Sequence, residues 1–121
     1  MLNLDTHVLV RAFAGDLNPG EARLLATDDW GISAIVLWEV AKLVQLGRLV
    51  LDMYDPEVIA ALSEIHVWPI DLAVAVTSTR LDFRGDPADE LIAATSIVHR
   101  VPLVTRDRTI RRSRMVPFAS A

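Results

Sequence analysis

Apolar positions in this chain fall in short runs whose period changes from one run to the next. LNLD (2–5) is an apolar run closed by an acid, the pattern of a short buried strand. THVLVRAFAG then places apolar residues at 8, 9, 10, 12 and 13 ahead of Gly15, which predicts a helix over 6–14. Asn18-Pro19-Gly20 reads as a turn, EARLLATDD (21–29) as a second helix and WGIS (30–33) as a strand. Ser33 is placed to cap a helix over 34–46 that Gly47 stops. Residues 48–52 read as loop, and Asp55-Pro56 opens a helix with proline at its first position. VWPI (67–70) is extended, and Asp71 caps a helix beginning LAVAVTSTRL that fades near Phe83. Asp86-Pro87 opens a helix over ADELIAATSIVHR. VPLVT (101–105) is a β-branched strand, followed by a short basic helical stretch and by MVPF (115–118) as a last strand.

Strands alternate with helices, and the strands are apolar without a period of two. That combination predicts a parallel sheet covered on both faces, an α/β fold with three α/β/α layers. A length of 121 residues suits one domain over 1–121. The chain is 52% hydrophobic, which argues against disorder. Its longer apolar runs, such as AIVLW (34–38), fall far short of the roughly 18 residues a membrane span needs. So apolar a small chain points instead to an exposed face that meets a partner or a second copy. The absence of cysteine excludes disulfides, thiolate metal sites and thiol nucleophiles. MLNLDTHVLV lacks a basic start and is broken by Asp5 and His7, so a cytoplasmic protein is expected.

The net charge of −4 opposes a general affinity for nucleic acid, yet RDRTIRRSR (106–114) concentrates five of the twelve basic residues. The acids carry more information. Asp5 ends the first strand and Asp107 closely follows VPLVT. In an open parallel sheet, ligands gather at the carboxyl ends of strands where strand order reverses, so these two acids share one edge if their strands are neighbours. The alternative is that Asp107 only caps the basic helix. Glu39 lies in the middle of a helix that is apolar nearly all round, and an unpaired buried charge is costly. Lys42, three residues on, offers it a surface partner. In GDPADELIAATS (85–96), Asp86 takes the cap position and Asp89 the first turn, where the helix dipole favours negative charge. Asp89, Ala93 and Ser96 share one side, the small residues leaving room above the acid, and Glu90 is rotated about 100° away. Asp5, Glu39, Asp89 and Asp107 together would repel without a cation; around Mg²⁺ or Mn²⁺ they form the oxygen cage that hard cations prefer and that suits phosphodiester hydrolysis.

LNLDTHVLV, ISAIVLWEVAKLVQLGRL, GDPADELIAAT and PLVTRDRTI, in this order and spacing, resemble the PIN-domain ribonucleases, specifically the VapC-type toxins of bacterial toxin–antitoxin pairs. The resemblance spans essentially the whole chain. It implies a three-layer α/β/α fold, Mg²⁺- or Mn²⁺-dependent endoribonuclease activity on tRNA, rRNA or mRNA, a homodimer, and neutralisation by a cognate VapB-type antitoxin. Carried over residue by residue, the family's acidic positions fall on Asp5, Glu39, Asp89 and Asp107, with Asp86 mainly structural. Thr6 and Thr105 stand beside metal-site acids to orient them, and Arg106 and Arg108 are candidates for RNA phosphate. The departure is Glu90, where many relatives carry a basic residue. Two other readings share the acids: a PIN-like binding module that no longer cleaves, and a metal-dependent nuclease acting on DNA.

Overall fold

The computed structural model describes residues 1–120. Four short strands, β1 (Leu2–Leu4), β2 (Trp30–Ser33), β3 (His66–Trp68) and β4 (Leu103–Val104), form one sheet in the order β3-β2-β1-β4 with every pairing parallel. The first two crossovers carry α1 (Thr6–Ala14) with α2 (Pro19–Thr27), and α3 (Ala34–Gln45) with α4 (Pro56–Ser63). The third carries α5 (Leu72–Ser78) and α6 (Pro87–His99), and β4 leads into α7 (Arg108–Arg111). The chain steps outward from β1 to β3 and then returns to the far side of β1. Right-handed crossovers therefore put α1–α4 on one face and α5 and α6 on the other, the three layers read from the alternating pattern. The order reverses between β1 and β4, whose pairing of Asn3 with Leu103 and Leu4 with Val104 sets the acids that follow them side by side.

β1, β2 and β4 lack alternation because both faces are covered, whereas His66 and Val67 of the edge strand β3 are exposed. Leu2, Asn3 and Leu4 are all buried, and Leu4, Leu9, Ile32, Val36, Val40, Ile92, Leu103 and Ile110 form the closed centre of the core. Each such side chain stabilises the fold by about 1.5–3 kcal/mol through burial. In the middle of β2, Gly31 is required by close approach: a Cβ there would run into the Trp68 indole. Gly15 closes α1 in the left-handed region, φ 70°, as its position after the apolar run indicated.

Several boundaries differ from the sequence expectation. α2 starts at Pro19, because Asn18 accepts from the Glu21 N–H while the Glu21 carboxylate accepts from the Asn18 N–H, a full capping box inside the stretch read as a turn. α5 ends at Ser78, where the hydroxyls of Ser78 and Thr79 bond back to carbonyls three residues earlier and compete with the next helical turn. The last strand shrinks to a single bridge: Phe118 faces Leu103, with the Leu103 N–H donating to Pro117 O and the Ala119 N–H to Leu103 O. Pro117 has no N–H to continue a ladder.

Candidate active site

The site is built where β1 and β4 end. Asp5 follows β1 directly and is the N-cap of α1; its Oδ1 accepts from the Thr6 N–H at 2.7 Å and its Oδ2 from the Thr105 hydroxyl at 2.6 Å. The same Thr105 oxygen accepts the Asp107 N–H at 3.0 Å, so one hydroxyl ties the two strand-end acids together. Asp107 Oδ1 caps α7 through the Ile110 N–H, which leaves its second oxygen for other work. Thr6 turns its hydroxyl to the Glu39 carboxylate, fixing α3 to α1 across the site. Lys42, offered by the sequence as Glu39's partner, instead bonds Gln45 at 2.8 Å and lies 5.8 Å from the Trp38 ring centroid.

Asp89 arrives from the opposite layer on the first turn of α6, its carboxyl 3.6 Å from the point a Cβ on Gly85 would occupy. Partial burial pushes its pKa up to about 6, and the negative charges of Asp5, Asp107, Glu39 and Asp86 add to the shift. Burial likewise raises the Asp5 carboxyl, against the hydrogen bond from Thr105 and the proximity of His7. Four acids from four separate segments thus act electrically on one carboxylate. Glu90 is not among them; it lines a separate cleft with Ser78, Leu81, Phe83 and Arg84.

Asp86 holds the N-cap position of α6, yet its side chain makes no cap hydrogen bond, so the capping role read from Asp86-Pro87 is corrected. The residue lines a mainly apolar groove together with Ile35, Trp38, Glu39, Pro87 and Ala88. Ala93 and Ser96 also differ from expectation: both are fully buried, and they let α6 press onto the sheet rather than leave space above Asp89. Arg106 is held in a fork by Glu21, Nε to Oε2 at 2.7 Å and Nη2 to Oε1, so its guanidinium braces α2 against the segment after β4. Arg108 is exposed and forms no ion pair among the described residues.

The residue that sequence reasoning missed is Asn3. It is fully buried in β1 and donates to Ile92 O at 3.0 Å and Ser96 Oγ at 2.9 Å, fixing the height of α6 and with it Asp89. A lone amide inside an apolar strand was the available signal. Thr105 can be tested directly. Thr105→Val leaves an Asp5 oxygen without its donor and the Asp107 N–H without its acceptor, an expected loss of about 2–3 kcal/mol. Thr105→Ser keeps most of it, and urea unfolding of the three proteins measures the difference.

The available donors are carboxylate and hydroxyl oxygens, the set a hard divalent cation takes. Among the described residues no three acidic or histidine side chains stand close enough to hold a metal ion as they are. The crowding of negative charge around Asp89 nonetheless fits a cation electrostatically, since four neighbouring acids all act on it in the same direction.

The sequence profile of the PIN domain matches residues 3–114. The chain belongs to the PIN domain family. It is 33% identical to Ribonuclease VapC22 of Mycobacterium tuberculosis, over 92% of this chain and 90% of that relative. Solved structures share the PIN fold. The crystal structure of VapBC2 from Rickettsia felis, bound to a DNA fragment from its promoter, superposes with a TM-score of 0.72 over 98% of both chains at 19% identity. FitAcB from Neisseria gonorrhoeae gives 0.71 over 98% and 97% at 21% identity. A toxin–antitoxin complex from Klebsiella pneumoniae gives 0.68 over 88% and 87% at 23% identity. Among the described residues of this PIN domain no helix is long and apolar enough to cross a membrane.

Proposed function

We propose that this PIN domain is an endoribonuclease toxin that hydrolyses RNA phosphodiester bonds and is held inactive by a VapB-type antitoxin in the cytoplasm. The observation that carries the reading is the gathering of Asp5, Glu39, Asp89, Asp107 and Asp86 around one edge of the sheet, with Asp89 feeling all the others. The relatives named for ribonuclease activity and for toxin–antitoxin complexes supply the biological setting.

Asp5, Asp89 and Asp107 would hold Mg²⁺ or Mn²⁺, with Glu39 completing the oxygen set. A bound divalent ion supplies an activated water and offsets charge on the leaving oxygen. The chain's own residues set the geometry. Thr105 fixes the spacing of Asp5 and Asp107, Thr6 fixes Glu39, and Asn3 fixes the depth of Asp89. Asp89, in its ionised form, would orient the attacking water by accepting a hydrogen bond from it. Arg108 reaches RNA phosphate from the rim, whereas Arg106 contributes by holding the loop after β4 in place. Leu72, Ile70 and Val76 expose apolar surface on α5 and just ahead of it, which suits the homodimer face.

The decisive experiment incubates the purified protein with total RNA, and separately with single- and double-stranded DNA, in Mg²⁺ or Mn²⁺. Cleavage of RNA that EDTA stops is expected. Cleavage of DNA alone, or of nothing at any cation level, overturns the proposal.

A further inference from the structure

The loop between α5 and α6 (residues 79–86) carries Asp82, a carboxylate outside the acid site. Asp82 is exposed, yet both of its oxygens are taken by a distant segment. Oδ1 accepts from the Ser113 hydroxyl at 2.6 Å and Oδ2 from the Arg114 N–H at 2.7 Å. The Ser113 oxygen in turn accepts from the Met115 N–H at 3.1 Å and the Val116 N–H at 3.2 Å, and the Ser113 N–H donates to Ile110 O at 2.9 Å. Asp82 therefore grips the turn that ends α7, at a buried serine. The bonds from Ser113 and Arg114 hold its carboxyl below the usual carboxylate range, so the grip is charged at neutral pH.

Each end of this tie leads to an acid of the candidate site. On one side, Gly85 follows Asp82 closely, and a Cβ at Gly85 would stand 3.5 Å from Asp89 Cβ, so the loop backbone packs on the Asp89 side chain. On the other side, α7 is a helix of four residues that Asp107 caps at its start and that runs into Ser113 at its end. Asp89 and Asp107 belong to segments far apart in the chain, and Asp82 joins the supports of the two. Leu81 and Phe83 also pack on the core, but apolar contacts are non-directional and set the loop's depth rather than its register. A charged carboxylate bonded through both oxygens sets register.

Among the described residues no three acids or histidines stand close enough to hold an ion as they are, so binding a cation draws the acids together. The looser their supports, the more ordering that step costs. We propose that Asp82 is a positioning residue for the cation site: by tying the α5–α6 loop to the turn after α7, it fixes the separation of Asp89 and Asp107. The inference rests on the metal-dependent ribonuclease reading and adds to it a residue that touches neither the cation nor the RNA.

The test compares wild type with Asp82→Ala, and with Asp55→Ala as a variant that loses a helix cap elsewhere, since Asp55 accepts from the Glu57 N–H at the start of α4. Urea unfolding at pH 7.5 over a series of Mg²⁺ or Mn²⁺ concentrations gives the cation's dissociation constant without any cleavage. Asp82→Ala should raise that constant about tenfold. Asp82→Asn, which keeps one acceptor oxygen, should raise it less, and Asp55→Ala should leave it unchanged while losing stability. In RNA cleavage, Asp82→Ala should need about tenfold more cation for its half-maximal rate, and raising the cation should recover the loss. Equal constants in wild type and Asp82→Ala overturn the assignment, as does an equal rise in Asp55→Ala, which marks a general effect of lost stability. If Asp82→Ala does not fold, Asp82→Asn decides by the same measurement. A wild type that binds cation but cleaves no RNA overturns the ribonuclease reading and leaves this comparison standing. A wild type indifferent to cation removes the cation site and the role of Asp82 with it.

Discussion

Asp5→Asn is expected to reduce RNA cleavage at least about a hundredfold, and Asp89→Asn to do the same, while the fold survives both. Loss of supporting contacts around metal sites already costs about 10–100-fold in related chemistry, and these two acids would be ligands rather than supports. Asn preserves the shape of Asp5 and can still accept from the Thr6 N–H, so α1 keeps its cap. What it loses is the negative charge, and its amide, if turned toward Thr105, meets a hydroxyl that is itself donating. At Asp89 the substitution removes the carboxylate that faces the rest of the acid set. Glu90→Gln serves as the control, because Glu90 lines a different cleft, and its rate should match wild type. Initial rates on one RNA in Mg²⁺, with far-UV circular dichroism on each variant, check the claim. If Asp5→Asn and Asp89→Asn both cut as fast as wild type, the acid site is not the catalytic one.

The acids were legible for a simple reason. Short strands buried on both faces leave no place for a charge except at their ends, so Asp5 and Asp107 had to emerge together once β1 and β4 paired. The alternation of elements carried the layer order for the same reason. What the sequence concealed was the choice among partners that local spacing permits equally. Glu39 has Lys42 one turn away, yet tertiary packing brings Thr6 closer and Lys42 turns to Gln45. Asp86 has every local mark of a cap and does not cap. Arg106 looks like part of a basic cluster until Glu21, 85 positions earlier, takes both arms of its guanidinium. Asn18-Pro19-Gly20 spells a turn, and only the reciprocal bonding with Glu21 reveals the start of a helix. For Glu39 and Arg106 the backbone pattern was decided by nearby residues and the side-chain partner by distant ones.

The cation-free protein is expected to lose stability as pH rises from about 4 to about 7, and a divalent cation should restore it. Asp89 titrates at about 6 in the folded chain, against 3.8 for an ordinary aspartate. Between those values the native state binds more protons than the unfolded chain, so stability falls with rising pH across that window. Asp5, whose carboxyl is also raised by burial, acts in the same direction. For Asp89 alone the effect is about 1–2 kcal/mol once solvent screening of a half-exposed group is allowed for. Asp89→Asn removes the repelling charge, so at pH 7 without cation it should melt higher than wild type, and its pH slope should flatten. Mg²⁺ or Mn²⁺ at a hundred times its dissociation constant should add about 2.7 kcal/mol to wild type and far less to Asp89→Asn. Urea unfolding at pH 4.5, 6 and 7.5, with EDTA and with cation, measures all of these. A wild-type protein that is indifferent to cation at pH 7.5, and no less stable there than at pH 4.5, would mean that the four acids do not share one field. The opposite outcome ties activity and fragility to the same residue: the charge that a cation needs at Asp89 is the charge that the empty site resists.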